Sequence, residues 1–149
     1  MSKIFFYHMT ESRLDDILPD LIERSLQRCG CLTIQFVTEK RCDAIDTLLW
    51  TFSEDSFLAH GTSWDDWPDE QNVLLTTSFH NLNASRERFC LEGAHCPDPD
   101  SYERFFIFFD GQIVDQLIRA RKEWKNLKNK GYLMTYWQQT LDRRWEKKF

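Results

Sequence analysis

The stretch Arg104-Phe-Phe-Ile-Phe-Phe109 is the most apolar run of the chain and decides its fold. Such a run is typical of a strand that is covered on both faces, as strands of a parallel sheet are. Asp110-Gly111 then turns the chain, and a last helix is predicted over roughly Gln112–Lys130. We therefore expect a buried strand with a helix packed back onto the sheet.

Strand patterns alternate with helix patterns along the chain before this run. Lys3–His8 and Leu32–Val37 are apolar or β-branched runs that are typical of strands, and a helical pattern follows each of them. Asn72–Thr76 is predicted to be a further strand, and Arg88–Leu91 is a short strand candidate. The alternation predicts an α/β fold with a mostly parallel sheet and right-handed crossovers.

The helices are predicted from apolar spacing and from their end signals. The first is expected to have Thr10 as its N-cap, a kink or break at Pro19 and an end at Gly30. The second is expected to open at Thr38-Glu39. The residues predicted to face the core are Leu14, Ile17, Leu18, Leu21, Ile22 and Leu26 in the first helix, Ala44, Ile45, Leu48 and Leu49 in the second, and Ile113, Leu117, Ile118, Trp124 and Leu127 in the last.

Composition indicates one domain with a substantial core. The chain has 149 residues, of which 42% are hydrophobic. We expect an α/β domain over residues 1–139 and a charged, frayed extension over residues 140–149. Apolar runs fall short of the ~20 residues of a membrane span, and the N-terminal run is too short for a signal peptide. A cytoplasmic protein without a membrane role is therefore expected.

The five cysteines are predicted to be free thiols. Their number is odd, and their spacings match neither a disulfide framework nor paired zinc ligands. The turn after the first strand, His8–Glu11, has no glycine to cradle phosphates. We therefore expect no metal, no cofactor and no nucleotide-binding loop. His8 and His60 lie outside any recognisable nucleophile motif, so no catalytic residue is predicted.

Charge is divided unevenly along the chain. Gly111–Phe149 holds ten Lys and Arg against four Asp and Glu, whereas the whole chain has a net charge of −5. Arg121, Trp124, Lys125 and Lys128 have the spacing of one helix face. Cations around an indole suit a short acidic peptide that ends in an aromatic residue and a free carboxylate. The alternative is a solvated basic helix with Trp124 turned into the core.

A second group of aromatic residues surrounds the end of the second helix. Trp50, Phe52, Phe57 and Trp64 lie near acidic residues. These rings either fill the core of the domain or form an exposed patch, which on a soluble protein usually marks a partner site. The residues alone leave both readings open.

Several motifs, taken in order, resemble the chi subunit of bacterial DNA polymerase III. The resemblance covers roughly Lys3 to Gln139. The motifs are Phe5-Phe6-Tyr7-His8, Leu48-Leu49-Trp50-Thr51-Phe52, Ser56-Phe57-Leu58-Ala59-His60-Gly61, Val73-Leu74-Leu75-Thr76-Thr77, Arg121-Lys122-Glu123-Trp124-Lys125, Gly131-Tyr132 and Thr135-Tyr136-Trp137-Gln138-Gln139.

The resemblance implies a Rossmann-like fold without a nucleotide site and a non-catalytic subunit of the clamp-loader assembly in the cytoplasmic replisome. It implies a heterodimer with the psi subunit, which links the chain to the clamp loader. It also implies capture of the acidic C-terminal tail of single-stranded DNA-binding protein, so that nucleic acid is contacted only indirectly. Carried over by motif, the psi surface includes Trp50, Phe57 and His60, and the tail surface includes Arg121, Trp124 and Lys125. Lys128 is added to the tail surface from helical spacing.

Two other functions remain as alternatives. The first is direct binding of single-stranded nucleic acid, with Trp124, Tyr132, Tyr136 and Trp137 as stacking platforms in a row. The second is a small α/β enzyme that uses His8 or His60 at a deep polar pocket on the carboxyl edge of the sheet.

Overall fold

A computed structural model of the 149-residue chain describes residues 2–51, 60–65 and 67–149. The strands are β1 Lys3–Met9, β2 Leu32–Gln35, β3 Gly61–Thr62, β4 Val73–Thr76, β5 Glu87–Leu91, β6 Arg104–Asp110, β7 Leu133–Gln139 and β8 Trp145–Lys147. The α-helices are α1 Leu14–Cys29, α2 Glu39–Thr51 and α3 Val114–Asn129, and short 3-10 turns lie at Pro68–Glu70 and Pro99–Ser101.

The strands form one eight-stranded sheet in the order β3-β4-β2-β5-β6-β1-β7-β8. Every neighbouring pair is parallel except β7 and β8, which are antiparallel. The apolar strand β6 lies between β5 and β1, and its residues 105–109 are buried. The predicted α/β fold with a mostly parallel, mixed sheet is confirmed.

The helices cover the two faces of the sheet unequally. α1 and α2 pack on one face, where Leu18, Ile22 and Ile45 join a core cluster that includes Phe89 and Phe108. α3 packs on the other face, over a second cluster formed mainly by β1, β6 and β7. The sheet is therefore covered by helices on both sides, as its buried apolar strands require.

Beside α3, part of this second face is closed by a polar network instead of a helix. The Arg88 side chain is fully buried on β5. Its guanidinium donates to Gln35 Oε1 at 2.8 and 3.1 Å and to the Tyr102 hydroxyl at 2.9 Å. Because buried polar groups are costly unless they are paired, this network fixes the loops that cover β2 and β5.

A second buried charge lies next to Arg88 on the opposite face. The Glu87 carboxylate is fully buried and accepts hydrogen bonds from Arg28 at 2.8 and 3.0 Å and from Ser25 at 2.8 Å. Arg104 lies 3.5 Å from the same carboxylate. Glu87 thus ties α1 to the start of β5 and β6 in the centre of the sheet.

Two expectations about the ends and course of α1 are wrong. The helix begins at Leu14 with Arg13 as its N-cap, and no side chain caps it. The Thr10 hydroxyl instead donates to the Gln139 carbonyl at 3.2 Å, which ties the first turn region to β7. Pro19 does not break the helix, because its buried ring packs on the core while the rest of the ladder continues. Gly30 ends the helix as predicted, with a φ of 73°.

The predicted inward stripes are partly wrong. Ala44 is exposed, and Cys42 takes its place beside Ile45 and Leu49 in the buried side of α2. In α3 the inner line contains Leu117, Ala120, Trp124 and Leu127, whereas Ile113 and Ile118 are 44% and 58% exposed. The helix turns Ile118 to solvent because its contact line with the sheet follows the other four residues at helical spacing, whereas Ile113 precedes the helix as its extended N-cap.

Three strands were not predicted. β3 is only two residues long, which is too short for a sequence pattern to indicate a strand. β7 pairs with β1, and β8 pairs with β7 through Gln139↔Trp145 and Trp137↔Lys147. The expectation that residues 140–149 are frayed is therefore wrong, because they form a hairpin with the sheet.

In the described ranges, no helix is long and apolar enough to cross a membrane. The five cysteines are unpaired thiols. Within the same ranges, no three His, Cys, Asp or Glu side chains are grouped so that they could hold a metal ion.

Candidate functional site

The first candidate surface lies on α3 and β7 and is called the Trp124 surface. It consists of Arg121, Trp124, Lys125, Lys128 and Tyr136. The buried side of α3 holds Ala120 and Leu127 against the sheet, so the three cations project to solvent while Trp124 lies at the boundary. The structure brings the four residues predicted for tail binding onto one exposed helix side, next to Tyr136.

Trp124 is neither fully exposed nor fully turned into the core. Its ring meets Phe6 edge-on at a centroid distance of 5.2 Å and Tyr136 at 5.5 Å. Trp124 as a whole is half-buried. The indole is therefore held rigidly from below, and the edge-to-face contacts fix its orientation. A ring fixed in this way suits an anchor for another apolar side chain.

A histidine supports this aromatic floor. His8 Nδ1 and the Tyr136 hydroxyl are 2.8 Å apart, and the His8 ring stacks on Phe109 at 4.8 Å. Burial lowers the pKa of His8, and the positive charge of Arg121 lowers it further, against a smaller opposing effect of Asp110. His8 is consequently neutral at pH 7, and the positive charge beside Tyr136 comes from Arg121.

Within the part of the chain that the structure describes, the cations of the Trp124 surface have no carboxylate partners. Among the described residues, Arg121, Lys125 and Lys128 form no salt bridge. Arg28 and Arg41, by contrast, each pair with carboxylates of the fold. The α3 cations therefore contribute a positive field that remains available to an anionic partner.

Phe149 covers part of the Trp124 surface. Its ring lies 5.7 Å from the ring of Trp124 and 5.7 Å from that of Tyr136. The main chain is held as well, because the Tyr136 amide donates to the Phe149 carbonyl at 3.3 Å. The surface thus contacts a phenylalanine ring from the chain itself.

The second candidate surface lies at the end of α2 and is called the Trp50 surface, made of Trp50, His60 and Asp46. The Trp50 ring is 50% exposed and lies 4.5 Å from the ring of His60. His60 is buried, with its Nε2 2.8 Å from the Asp46 carboxylate and 3.2 Å from the Asp46 carbonyl. His60 therefore positions Trp50 from below. Phe57, predicted for the same surface, lies outside the described residues.

Further carboxylates lie near Cys42, about two turns before Trp50 in α2. Burial is the main cause that raises the pKa of the Cys42 thiol to about 12, and the charges of Asp43, Asp46 and Asp65 contribute to the increase. Trp64 and Trp67, on the loop after β3, are 48% and 69% exposed. This end of the molecule combines exposed indoles with negative charge.

The geometry gives no support to an enzyme that uses His8 or His60. A cavity of about 420 Å³ lies between α3 and the loop after β5, lined by residues that include Cys96, Ile107, Arg119 and Glu123. Neither histidine lines it. His8 instead bonds Tyr136, and His60 lies under Trp50, so both are engaged in structural contacts.

The row of stacking rings expected for a direct single-strand binder does not form. Trp124, Tyr132 and Tyr136 pack on the second core cluster, on the α3 face. Trp137 follows Tyr136 in β7, and successive strand residues point to opposite faces. The four rings therefore do not share one groove.

Sequence reasoning did not assign Tyr136, His8 and Phe149 to the tail surface. For Tyr136 a signal was available, because positions 134 and 136 of a strand share the face on which α3 packs. The contacts of His8 and Phe149 join residues that are far apart in the sequence, and no local pattern indicates them.

Comparison with known proteins agrees with the resemblance. The family model of the DNA polymerase III chi subunit, HolC, matches residues 1–135 of the chain. No curated protein matches the chain in a sequence search. The matched region contains both candidate surfaces except for Tyr136. The chain therefore belongs to the DNA polymerase III chi subunit family, which has an accessory role in DNA replication.

Proposed function

We propose that the chain is a non-catalytic bridging subunit of the clamp-loader assembly, with one partner on the Trp124 surface and another on the Trp50 surface. The partner at Trp124 is the acidic C-terminal tail of single-stranded DNA-binding protein. The observation that carries the proposal is the fixed Trp124–Tyr136 floor beside the exposed cations Arg121 and Lys125. The chain then acts in the cytoplasm, at the replisome, and contacts DNA only through its partners.

In this proposal the charges and the rings of the Trp124 surface have different roles in tail binding. Arg121, Lys125 and Lys128 attract the acidic residues of the tail and raise the rate of encounter. Trp124 and Tyr136 then contact the aromatic end of the tail, where desolvation of a rigid ring supplies most of the specific affinity. The free carboxylate of the tail pairs with Arg121. The charge of Arg121 acts on both His8 and Tyr136, since it lowers the pKa of each, alongside the effect of burial for His8 and against it for Tyr136.

The second partner in this proposal is the psi subunit. Trp50 provides a half-exposed indole that His60 and Asp46 hold in place. Tryptophan is enriched at protein interfaces and among the residues that contribute most to their affinity. Binding of psi at this end links the chain to the clamp loader.

Bridging of this kind works even when the tail contact is weak. A micromolar contact corresponds to roughly −8 kcal/mol. Many tails on one coated template raise the effective concentration, so the polymerase assembly stays near single-stranded DNA.

Calorimetric titration tests the tail assignment. The wild-type chain is titrated with a short acidic peptide that ends in Pro-Phe with a free carboxylate, and separately with oligo-dT. We expect the peptide to bind and the oligonucleotide not to bind. Arg121→Glu should weaken peptide binding by about tenfold or more, because the favourable charge becomes repulsive.

Lys122→Glu is the matched control for this titration. Lys122 is exposed on the same helix, and it borders the cavity on the other side of α3. Its charge reversal should change peptide affinity by less than about threefold. Equal losses in both variants would mean that net charge alone governs binding. Binding of oligo-dT without the peptide would overturn the proposed function.

A further inference from the structure

We propose that residues 148–149 occupy, in cis, the place on β7 and Trp124 that the end of the tail peptide takes in trans. The inference rests on the proposed function and goes beyond it, because it assigns a binding mode and an intramolecular competitor. In this mode the peptide extends the sheet at the β7 edge and places its phenyl ring where Phe149 now lies.

The backbone around Tyr136 shows how the ring of Phe149 reaches α3. The Tyr136 carbonyl accepts from the Lys148 amide at 2.8 Å, whereas the Tyr136 amide donates to the Phe149 carbonyl at 3.3 Å. Two residues therefore oppose one, which is the arrangement of a β-bulge. The bulge places Phe149 on the α3 face with Tyr136, while Trp145 packs with Tyr7 on the other face.

The contacts of Phe149 define the ligand that the site accepts. An extended segment supplies main-chain hydrogen bonds to a strand edge, and an aromatic ring enters between Trp124 and Tyr136. Strand addition with a side-chain pocket is a common way to recognise peptides. Arg121 and Lys125 beside the rings favour an acidic peptide over a basic one.

The contact of residues 148–149 with Tyr136 and Trp124 is weak enough for a peptide to displace it. The Phe149 ring is 70% exposed, so it buries little apolar surface. The hairpin turn contains Arg143 at a φ of 66°, a conformation that is unfavourable for residues other than glycine. Trp145 packs against Tyr7 at 5.0 Å and keeps β8 attached while residues 148–149 move. These two residues also lie beyond the 1–135 region that the family model matches.

Titration of the full chain with the Pro-Phe peptide tests the proposal in three forms: wild type, Phe149→Ala and Leu141→Ala. Leu141 is a matched control, because it lies in the same hairpin, is 90% exposed and has no ring contact with Trp124. Removing the competing ring should tighten peptide binding by about three- to tenfold, since a larger fraction of the chain is open for binding. Leu141→Ala should leave the affinity unchanged.

Hydrogen exchange at the Lys148 amide provides the second readout. Peptide binding should speed exchange there in the wild-type chain, because the bond to the Tyr136 carbonyl is given up. Unchanged or weaker peptide binding in Phe149→Ala overturns the cis competition and leaves the tail function standing. Slow Lys148 exchange in the complex overturns the displacement as well. Absence of peptide binding in both wild type and Phe149→Ala overturns the proposed function together with this inference.

Discussion

The Trp124 surface and the Trp50 surface are both built on a tryptophan, but they differ in charge and in support. Trp124 rests on aromatic rings of the core and is flanked by exposed cations. Trp50 rests on His60, which contacts the Asp46 carboxylate, and lies among acidic residues. Surfaces of opposite charge on one small domain suit partners of different chemistry.

The two surfaces also lie at opposite ends of the sheet. β3, next to the Trp50 surface, is an edge strand, whereas β7 is near the other edge. Six strand spacings separate β3 from β7, which corresponds to about 30 Å. At this separation the effects of substitutions on the two surfaces should be independent and should add.

The largest effect is expected between the two surfaces, at the buried Glu87 in the centre of the sheet. Glu87→Ala leaves Arg28 and Arg104 without their buried carboxylate, which should lower the free energy of unfolding by about 3 kcal/mol, because both arginines remain partly hydrated. Urea denaturation measures this change. Glu103→Ala, at an exposed neighbouring position, should cost less than about 0.5 kcal/mol. A loss below about 1 kcal/mol for Glu87→Ala would contradict the assigned role.

The next effect should be confined to the Trp124 surface. Trp124→Ala removes the floor of the predicted tail site and should weaken tail binding by about 2 kcal/mol or more. Binding of psi should change by less than about 0.5 kcal/mol. Because Trp124 also packs on Phe6, a thermal melt must show that the variant is folded at the titration temperature. A tail effect below about 0.5 kcal/mol would exclude Trp124 as the anchor.

A similar but smaller change should be confined to the Trp50 surface. Trp50→Ala should weaken psi binding by about 1–2 kcal/mol and leave tail binding intact, and Phe57→Ala should act in the same direction. Phe79→Ala is the matched control, because Phe79 is 52% exposed and lies past the carboxyl end of β4, away from the Trp50 surface. Loss of both partners in Trp50→Ala, with the fold intact, would show that the surfaces are coupled.

The smallest effect concerns pH and should again distinguish the two surfaces. The pKa of His8 in the folded chain lies below its ordinary value of 6.5, so protonation of His8 favours the unfolded chain. The free energy of unfolding therefore falls as the pH drops below about 6.5. An acidic tail beside His8 raises its pKa, so tail affinity should increase by about twofold between about pH 7 and pH 5. His8→Gln should remove this increase. An increase that persists in His8→Gln would assign it to another group.

The sequence predicted those parts of the fold that depend on local apolar pattern. Arg104–Phe109 is apolar at consecutive positions, and burial on both faces is the only arrangement that satisfies it. The stripe through Leu18 and Ile22 likewise defined α1. β7 was not predicted, because its side chains are only partly buried and its pairing with β1 joins residues that are far apart in the sequence.

The candidate surfaces were predictable only in part, for a related reason. Helical spacing placed Arg121, Trp124 and Lys125 together, since neighbours on one helix are fixed by its geometry. The depth of Trp124 depends on Phe6 and Tyr136 from other strands. The contact with Phe149 depends on a hairpin and a bulge that no local signal near Trp124 indicates.

The bridging role is tested most directly by titration of the tail peptide into the free chain and into the chain saturated with psi. We expect the same dissociation constant in both experiments, within about twofold, because the surfaces are independent. Such a result would demonstrate that one chain holds both partners at once. Loss of peptide binding in the presence of psi would contradict the bridging role, because the partners would then exclude each other.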